Sequence, residues 1–142
     1  MKGFMKSLSE YAILFYVCGS AYITIEIFYR NYTDISMFFL GGLAGVLIGG
    51  VNYWLPWEMP FVLQMAVGGA IVTALELAAG LVLNVHLGLA IWDYGHLPLN
   101  FMGQICLLYG VIWVGLSAAA ILLNDWTRHW LFGEQRPKYK IL

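Results

Sequence analysis

Charge is what this sequence has least of. Charged residues make up 11% of its 142 positions, seven basic against eight acidic, whereas a soluble domain carries about 25%. So few charges cannot solvate the surface of a water-soluble domain. The formal net charge of −1 and the lack of any basic stripe give no footing for a nucleic-acid partner. Cysteine is also scarce. Cys18 and Cys106 both fall inside apolar runs and read as small apolar residues, not as a structural disulfide. The three histidines include no i,i+4 pair and no metal-ligand spacing, so no metal site or cofactor is expected. No serine has a histidine partner nearby in sequence. This leaves a lipid-modifying enzyme, with carboxylates as acid and base, the least supported class of function.

What is present is apolar length. The chain is 61% hydrophobic, with a mean hydropathy of +0.76. A helix needs about 20 apolar residues to cross the hydrocarbon layer, and four stretches satisfy this: residues 11–29, 35–54, 61–85 and 101–123. The linkers are short, and Pro56 and Pro60 mark the clearest boundary. The first stretch is longer than a signal sequence and has no small-residue cleavage site after it, so it reads as a retained span. The expected fold is all-α: a single integral membrane domain over residues 1–142, built as a four-helix transmembrane bundle. Six of the seven basic residues (Lys2, Lys6, Arg128, Arg136, Lys138 and Lys140) flank the outer ends of the first and fourth spans. The positive-inside rule then makes both termini cytoplasmic. Trp54, Trp57, Trp126 and Trp130 fall at the same interface, where indole is favoured.

The polar side chains left inside the spans are the candidate functional residues. Glu26 and Glu76 each lie roughly two-thirds along an outward-running span, at similar depth in the outer half. A charge buried there costs about 2–3 kcal/mol even on a lenient insertion scale. Each therefore faces the bundle interior, a cavity or a partner. The stretch "LGLAIWDYGHLPLNFMGQICLLYG" at 87–110 supplies Trp92, Asp93, Asn100 and Gln104 near the same level. Asn84 sits eight residues after Glu76 and shares its helical face, and Tyr22 is one turn before Glu26. The expected ligand-binding set is Tyr22, Glu26, Glu76, Asn84, Trp92, Asp93, Asn100 and Gln104, around an outer-leaflet pocket. Plainer roles compete. Either glutamate can fix helix register through hydrogen bonds to Asn, Gln or Tyr. Asp93 can cap a turn while Trp92 and Tyr94 anchor at the interface. Asn100 can be the N-cap of the fourth helix.

Glycines form a second pattern. Gly41, Gly45 and Gly49 repeat every four residues on the second span, a stripe suited to close helix packing within the bundle or across a dimer. "GSAYITIE" at 19–26 can be set against "GAIVTALE" at 69–76, which hints at a parallel two-helix repeat, although chance similarity is the better explanation of so short a match.

The third and fourth spans carry a more specific signal. Glu76 with Gly80, Trp92-Asp93-Tyr94, Leu99-Asn100 with Gly103, Ile105-Cys106, and Trp113 with Gly115 resemble the motifs of the CmpB-like family called ABC-transporter type IV. Glu26 resembles that family's first-span glutamate. The chain departs from the pattern with "SMFFLGG" at the entry to the second span and with Asn84, where the family carries a second glutamate. The resemblance implies a small, permease-like membrane protein. Its expected partners are membrane lipid, a cation, small polar or aromatic solute or coupling proton, and a second copy or another membrane subunit. A non-transporting subunit that stabilises or regulates a partner is the main alternative.

Overall fold

The computed structural model describes residues 2–56 and 58–142, and the side chains from residue 6 onward. Trp57 and the side chain of Lys2, both invoked in the orientation argument, lie outside the described residues. The chain folds into four membrane-length helical spans. They are α1 (Lys2–Arg30), α2 (Ile35–Gly49) continued by α3 (Val51–Trp54), α4 (Phe61–Gly80) continued by a π-helical turn (Leu81–His86), and α5 (Leu107–Phe132). Two two-residue strands, β1 (Asn100–Phe101) and β2 (Ile105–Cys106), pair antiparallel just before α5.

Local chemistry sets most boundaries. Asp34 caps α2 by accepting the Ser36 amide at 2.8 Å, the expected use of an aspartate at a helix start. The Ser36 hydroxyl and then its amide hold the exposed Asp34 carboxyl below its usual range. Gly50 shares its amide between the Val46 and Leu47 carbonyls, so α2 tightens there without ending. Pro56 and Pro60 then separate it from α4. Gly133 ends α5 in the left-handed region, φ 70°, and returns its amide to the Arg128 carbonyl. A side chain there would be strained.

Packing is organised as two antiparallel pairs, α1 with α2 and α4 with α5. The first pair's α2 also touches α4 and α5. As a result 56% of the α2 span is buried, against 17–22% of the other three. The glycine stripe explains this central position. A β-carbon on Gly41 would come within 2.5 Å of the Tyr22 β-carbon, one on Gly45 would overlap Cys18, and one on Gly49 would overlap the Asn124 side chain. The stripe is therefore filled by α1 and α5 of the same chain, which settles the choice between packing inside the bundle and packing across a dimer. Gly19 and Gly69, each seven residues before a glutamate, both meet the next helix of their own pair, at Phe38 and Val114.

Both chain ends lie at one end of the bundle. There Asn52 donates to Asp125 at 2.9 Å, Tyr139 donates to the same carboxylate at 2.9 Å, and the Phe61 amide donates to the Lys140 carbonyl at 2.6 Å. Trp54 and Trp130 are exposed at this end.

Three span boundaries differ from the sequence reading. The fourth helix starts at Leu107, not 101, and runs to Phe132, not 123. At its start, the Asn100 side chain accepts the Gly103 amide at 3.0 Å and donates to the Leu97 carbonyl at 2.8 Å. It offers the backbone a turn in place of a helix. At its end, Asn124, Asp125 and Arg128 look like the limit of a span but are buried inside the bundle. The first helix likewise begins at Lys2, nine residues before the expected 11.

Gly69→Ala should lower the thermal midpoint of the purified protein, because the added methyl would lie 2.9 Å from the Val114 backbone and overpacking costs about 1–3 kcal/mol. Gly115 has nothing within 4 Å of such a methyl, so Gly115→Ala should be neutral or stabilising by up to about 1 kcal/mol. Unfolding followed by tryptophan fluorescence separates the two.

Candidate functional site

The polar groups at the end opposite the termini fall into three connected units. The first is built on Glu76, which is 4% exposed. One carboxylate oxygen accepts the Tyr94 hydroxyl at 2.6 Å and the other accepts the Trp113 indole N–H at 2.9 Å. Tyr94 comes from the connection that precedes α5 and Trp113 from α5, so the carboxylate holds three segments together. Tyr94 stacks on Tyr109, with centroids 4.5 Å apart and planes 14° apart. Tyr109 leans toward Trp113 at 6.3 Å, and Trp113 toward Tyr22 at 5.9 Å. A row of aromatic rings thus runs from the loop into the bundle beside Glu76.

The second unit is built on Glu26. Its carboxylate pairs with Arg30 at 2.9 Å, one turn along α1, and accepts the Thr33 hydroxyl. Arg30 also donates to the Ile91 carbonyl at 2.9 Å and to the Tyr32 hydroxyl. Arg30 therefore clamps the connection between the third and fourth spans onto the end of α1.

The third unit is a set of amides. Asn84 donates to Gln104 Oε1 at 2.9 Å and accepts the Ile91 amide at 2.7 Å. Gln104 donates to the Met102 carbonyl at 3.0 Å, and its own carbonyl accepts the Trp92 indole at 3.0 Å. Gly80 allows this: a β-carbon there would come within 2.5 Å of Gln104 Oε1 and 3.1 Å of Trp92. The π-helical turn begins immediately after, with Leu87 returning its amide to Val82. Such wide turns often mark functional segments. Ala90, Leu99 and Met102 all adopt positive φ, from 48° to 54°, and local strain of this kind costs of order 1–3 kcal/mol each. The connection is held in shape by the bonds that reach it from α1, α4 and α5.

A cavity of about 140 Å³ lies between all four spans. Its wall is apolar except for Glu76, Tyr22, Trp113, Ser117 and Cys18. Of the residues proposed from sequence, Tyr22 and Glu76 reach this wall. Glu26, Asn84, Trp92, Asp93, Asn100 and Gln104 do not line it.

Several placements correct the sequence reading. Asn100 is not the N-cap of the fourth helix, whose cap position is Cys106. Asn84 does not line the cavity with Glu76; it bonds the Gln104 side chain and the Ile91 amide instead. Trp92 is 7% exposed and Tyr94 turns inward, so neither is an interfacial anchor. Asp93 is exposed and accepts the Gly95 amide at 2.7 Å, which is the turn-capping role.

Sequence reasoning missed Arg30, Tyr94 and Trp113 as partners of the two glutamates. Arg30 had a signal, since it lies four residues after Glu26. Trp113 lies 37 residues from Glu76, and nothing local could pair them. It also missed the buried groups at the terminal end: Gln64 and Asn124, 1% and 0% exposed, with Asp125 and Arg128.

Arg30→Gln should raise amide exchange over residues 91–97 and lower stability by about 2 kcal/mol, because it frees the Ile91 carbonyl and strands a buried carboxylate. Hydrogen exchange with mass spectrometry reads both effects. Burial first, and then the Glu76 charge, push the Tyr94 hydroxyl well above its ordinary range. Burial and Asp125 do the same for Tyr139. Unfolded tyrosines ionise near pH 10, so the stability these two supply is intact below that pH and is lost as pH climbs through it. Tyr94→Phe and Tyr139→Phe should each flatten the alkaline loss of stability, measured as unfolding midpoint against pH from 8 to 12.

No solved structure matches this chain. The model of one protein family covers residues 10–138, which takes in the polar units built on Glu76, Glu26 and Asn84. The chain belongs to that family, whose description reads "Putative ABC-transporter type IV".

Proposed function

We propose that this chain is a transporter-type membrane protein that takes a small, mostly apolar cation, or a coupling proton, at Glu76. One observation carries the reading: a carboxylate that is 4% exposed sits on the wall of an otherwise apolar cavity. A carboxylate in a low-dielectric site attracts a cation or a proton. Size narrows the solute. The cavity is about 140 Å³, and an apolar cavity of about 150 Å³ holds one benzene ring. A drug-sized solute needs about 300–1,000 Å³. One aromatic ring or a few-carbon amine therefore fits, with Tyr22 and Trp113 offering ring faces to its charge.

The reading is of a binding protein, not an enzyme. Glu26 is ion-paired with Arg30, so Glu76 has no second free carboxylate to work with as an acid–base couple. Four spans around so small a cavity supply no through-path, which makes a second copy or another membrane subunit part of the proposal. The bias of basic residues orients both termini to the cytoplasm. The engagement of Glu26 within its own chain favours a second reading, a subunit that stabilises or regulates a partner, for which Glu26 is a structural fastener.

The test is binding of benzylammonium to the detergent-purified chain, with toluene as the uncharged control. Glu76→Gln should abolish the preference for benzylammonium while the protein still assembles. Glu26→Gln should weaken assembly. Equal binding of both probes by the unaltered protein would reject a cation site at Glu76, and unchanged binding in Glu76→Gln would reject it equally.

A further inference from the structure

We propose that the groove at the terminal end of the bundle binds a phosphate-type anion on Arg128. The groove is about 920 Å³ and lies between Asn52 and Tyr53, the last turns of α5, and the segment 133–140. Arg128 lines it and is 3% exposed. Its Nε and Nη2 are sealed from solvent without a hydrogen-bond acceptor among the described residues. Its guanidinium lies over the Tyr53 ring at 4.6 Å and near the Tyr11 ring at 5.8 Å. Those faces favour the charge but accept none of the N–H bonds in the ring plane. A buried charged donor without an acceptor is strongly unfavourable. A guanidinium's planar fork matches the oxygens of a phosphate in bidentate fashion.

The surrounding charges agree. Arg128 forms no ion pair among the described residues. Two of the neighbouring acids are already engaged: Asp125 accepts from Asn52 and Tyr139, and Glu134 accepts from Tyr53 at 2.7 Å. Arg136, Lys138 and Lys140 line the same groove, giving four basic groups against the three acids Glu58, Asp125 and Glu134. Arg136 lies 5.7 Å from the Trp126 ring, among indoles of the kind that sit at headgroup level. Both a phospholipid headgroup and free phosphate present the required oxygens at that level. The site is at the opposite end from Glu76 and does not rest on the function proposed there.

The experiment uses the full chain in two arms. In detergent, the unfolding midpoint is measured in inorganic phosphate against chloride at equal ionic strength. In bilayers, retention of phosphatidylglycerol over phosphatidylcholine is measured by native mass spectrometry. A phosphate-specific rise marks the free anion, and retention without that rise marks the headgroup; either supports the site. Arg128→Gln should weaken the effect by roughly tenfold, the loss of a charge-assisted bond, with Arg128→Lys in between. If Arg128→Gln does not assemble, the Lys138→Gln, Lys140→Gln double variant should still reduce binding. The proposal is overturned if the unaltered protein responds in neither arm. It also fails if Arg128→Gln binds as well as the unaltered chain or if, with Arg128→Gln unfolded, the double variant does.

Discussion

A carboxylate placed in the membrane interior must find its donors within the protein, since no water is there to supply them. Glu76 meets this demand with two donors, and the demand shapes the whole end of the molecule opposite the termini. Trp113 is drawn to it across the α4–α5 interface, and Tyr94 is drawn down from the connection between those helices. Once Tyr94 is fixed, the adjoining Ile91 and Trp92 come within reach of Arg30 and of the Gln104 carbonyl. The connection of 87–106 would otherwise be a loop with several unfavourable backbone angles. It is instead held in one shape by bonds that reach it from α1, α4 and the π-helical turn.

The membrane class and the four spans could be read from sequence because they rest on composition and local spacing. Hydropathy over 20 residues is a strong signal, and the charge of Glu26 or Glu76 stands out against it. The family, too, could be recognised from the motifs around 76–113. What could not be read was the partner of each polar group. Glu26 and Arg30 are one turn apart, yet Arg30 looked like a boundary residue because it ends the apolar run. The apolar letters of Leu99–Cys106 concealed a turn, although Pro98 before it and Gly103 within it were available warnings. The polar letters of Asn124, Asp125 and Arg128 concealed the continuation of α5, because burial of a polar side chain depends on what another segment brings to it.

The two ends of the bundle treat buried charge differently. At the end opposite the termini Glu26 and Glu76 are matched by donors from their own chain. At the terminal end Asp125 is matched, while Arg128 is surrounded by ring faces and keeps nitrogens without acceptors. The first arrangement is self-sufficient and rigid. The second is incomplete in the described chain, which is why it points outward to a ligand. A fold of this size has little apolar mass to set against such a deficit, so the deficit is informative about what surrounds the protein.

The central position of α2 bears on how the protein comes to be assembled. The α1–α2 turn is only four residues long, from Asn31 to Asp34, so the first two spans can enter the bilayer as a unit and dock locally. The remaining stripe surface on α2, with Gly49 against Asn124, then becomes the template on which the later two spans register as they leave the ribosome. Biogenesis by two successive insertions, the second guided by a surface of the first that has almost no side chains, follows from where these glycines lie.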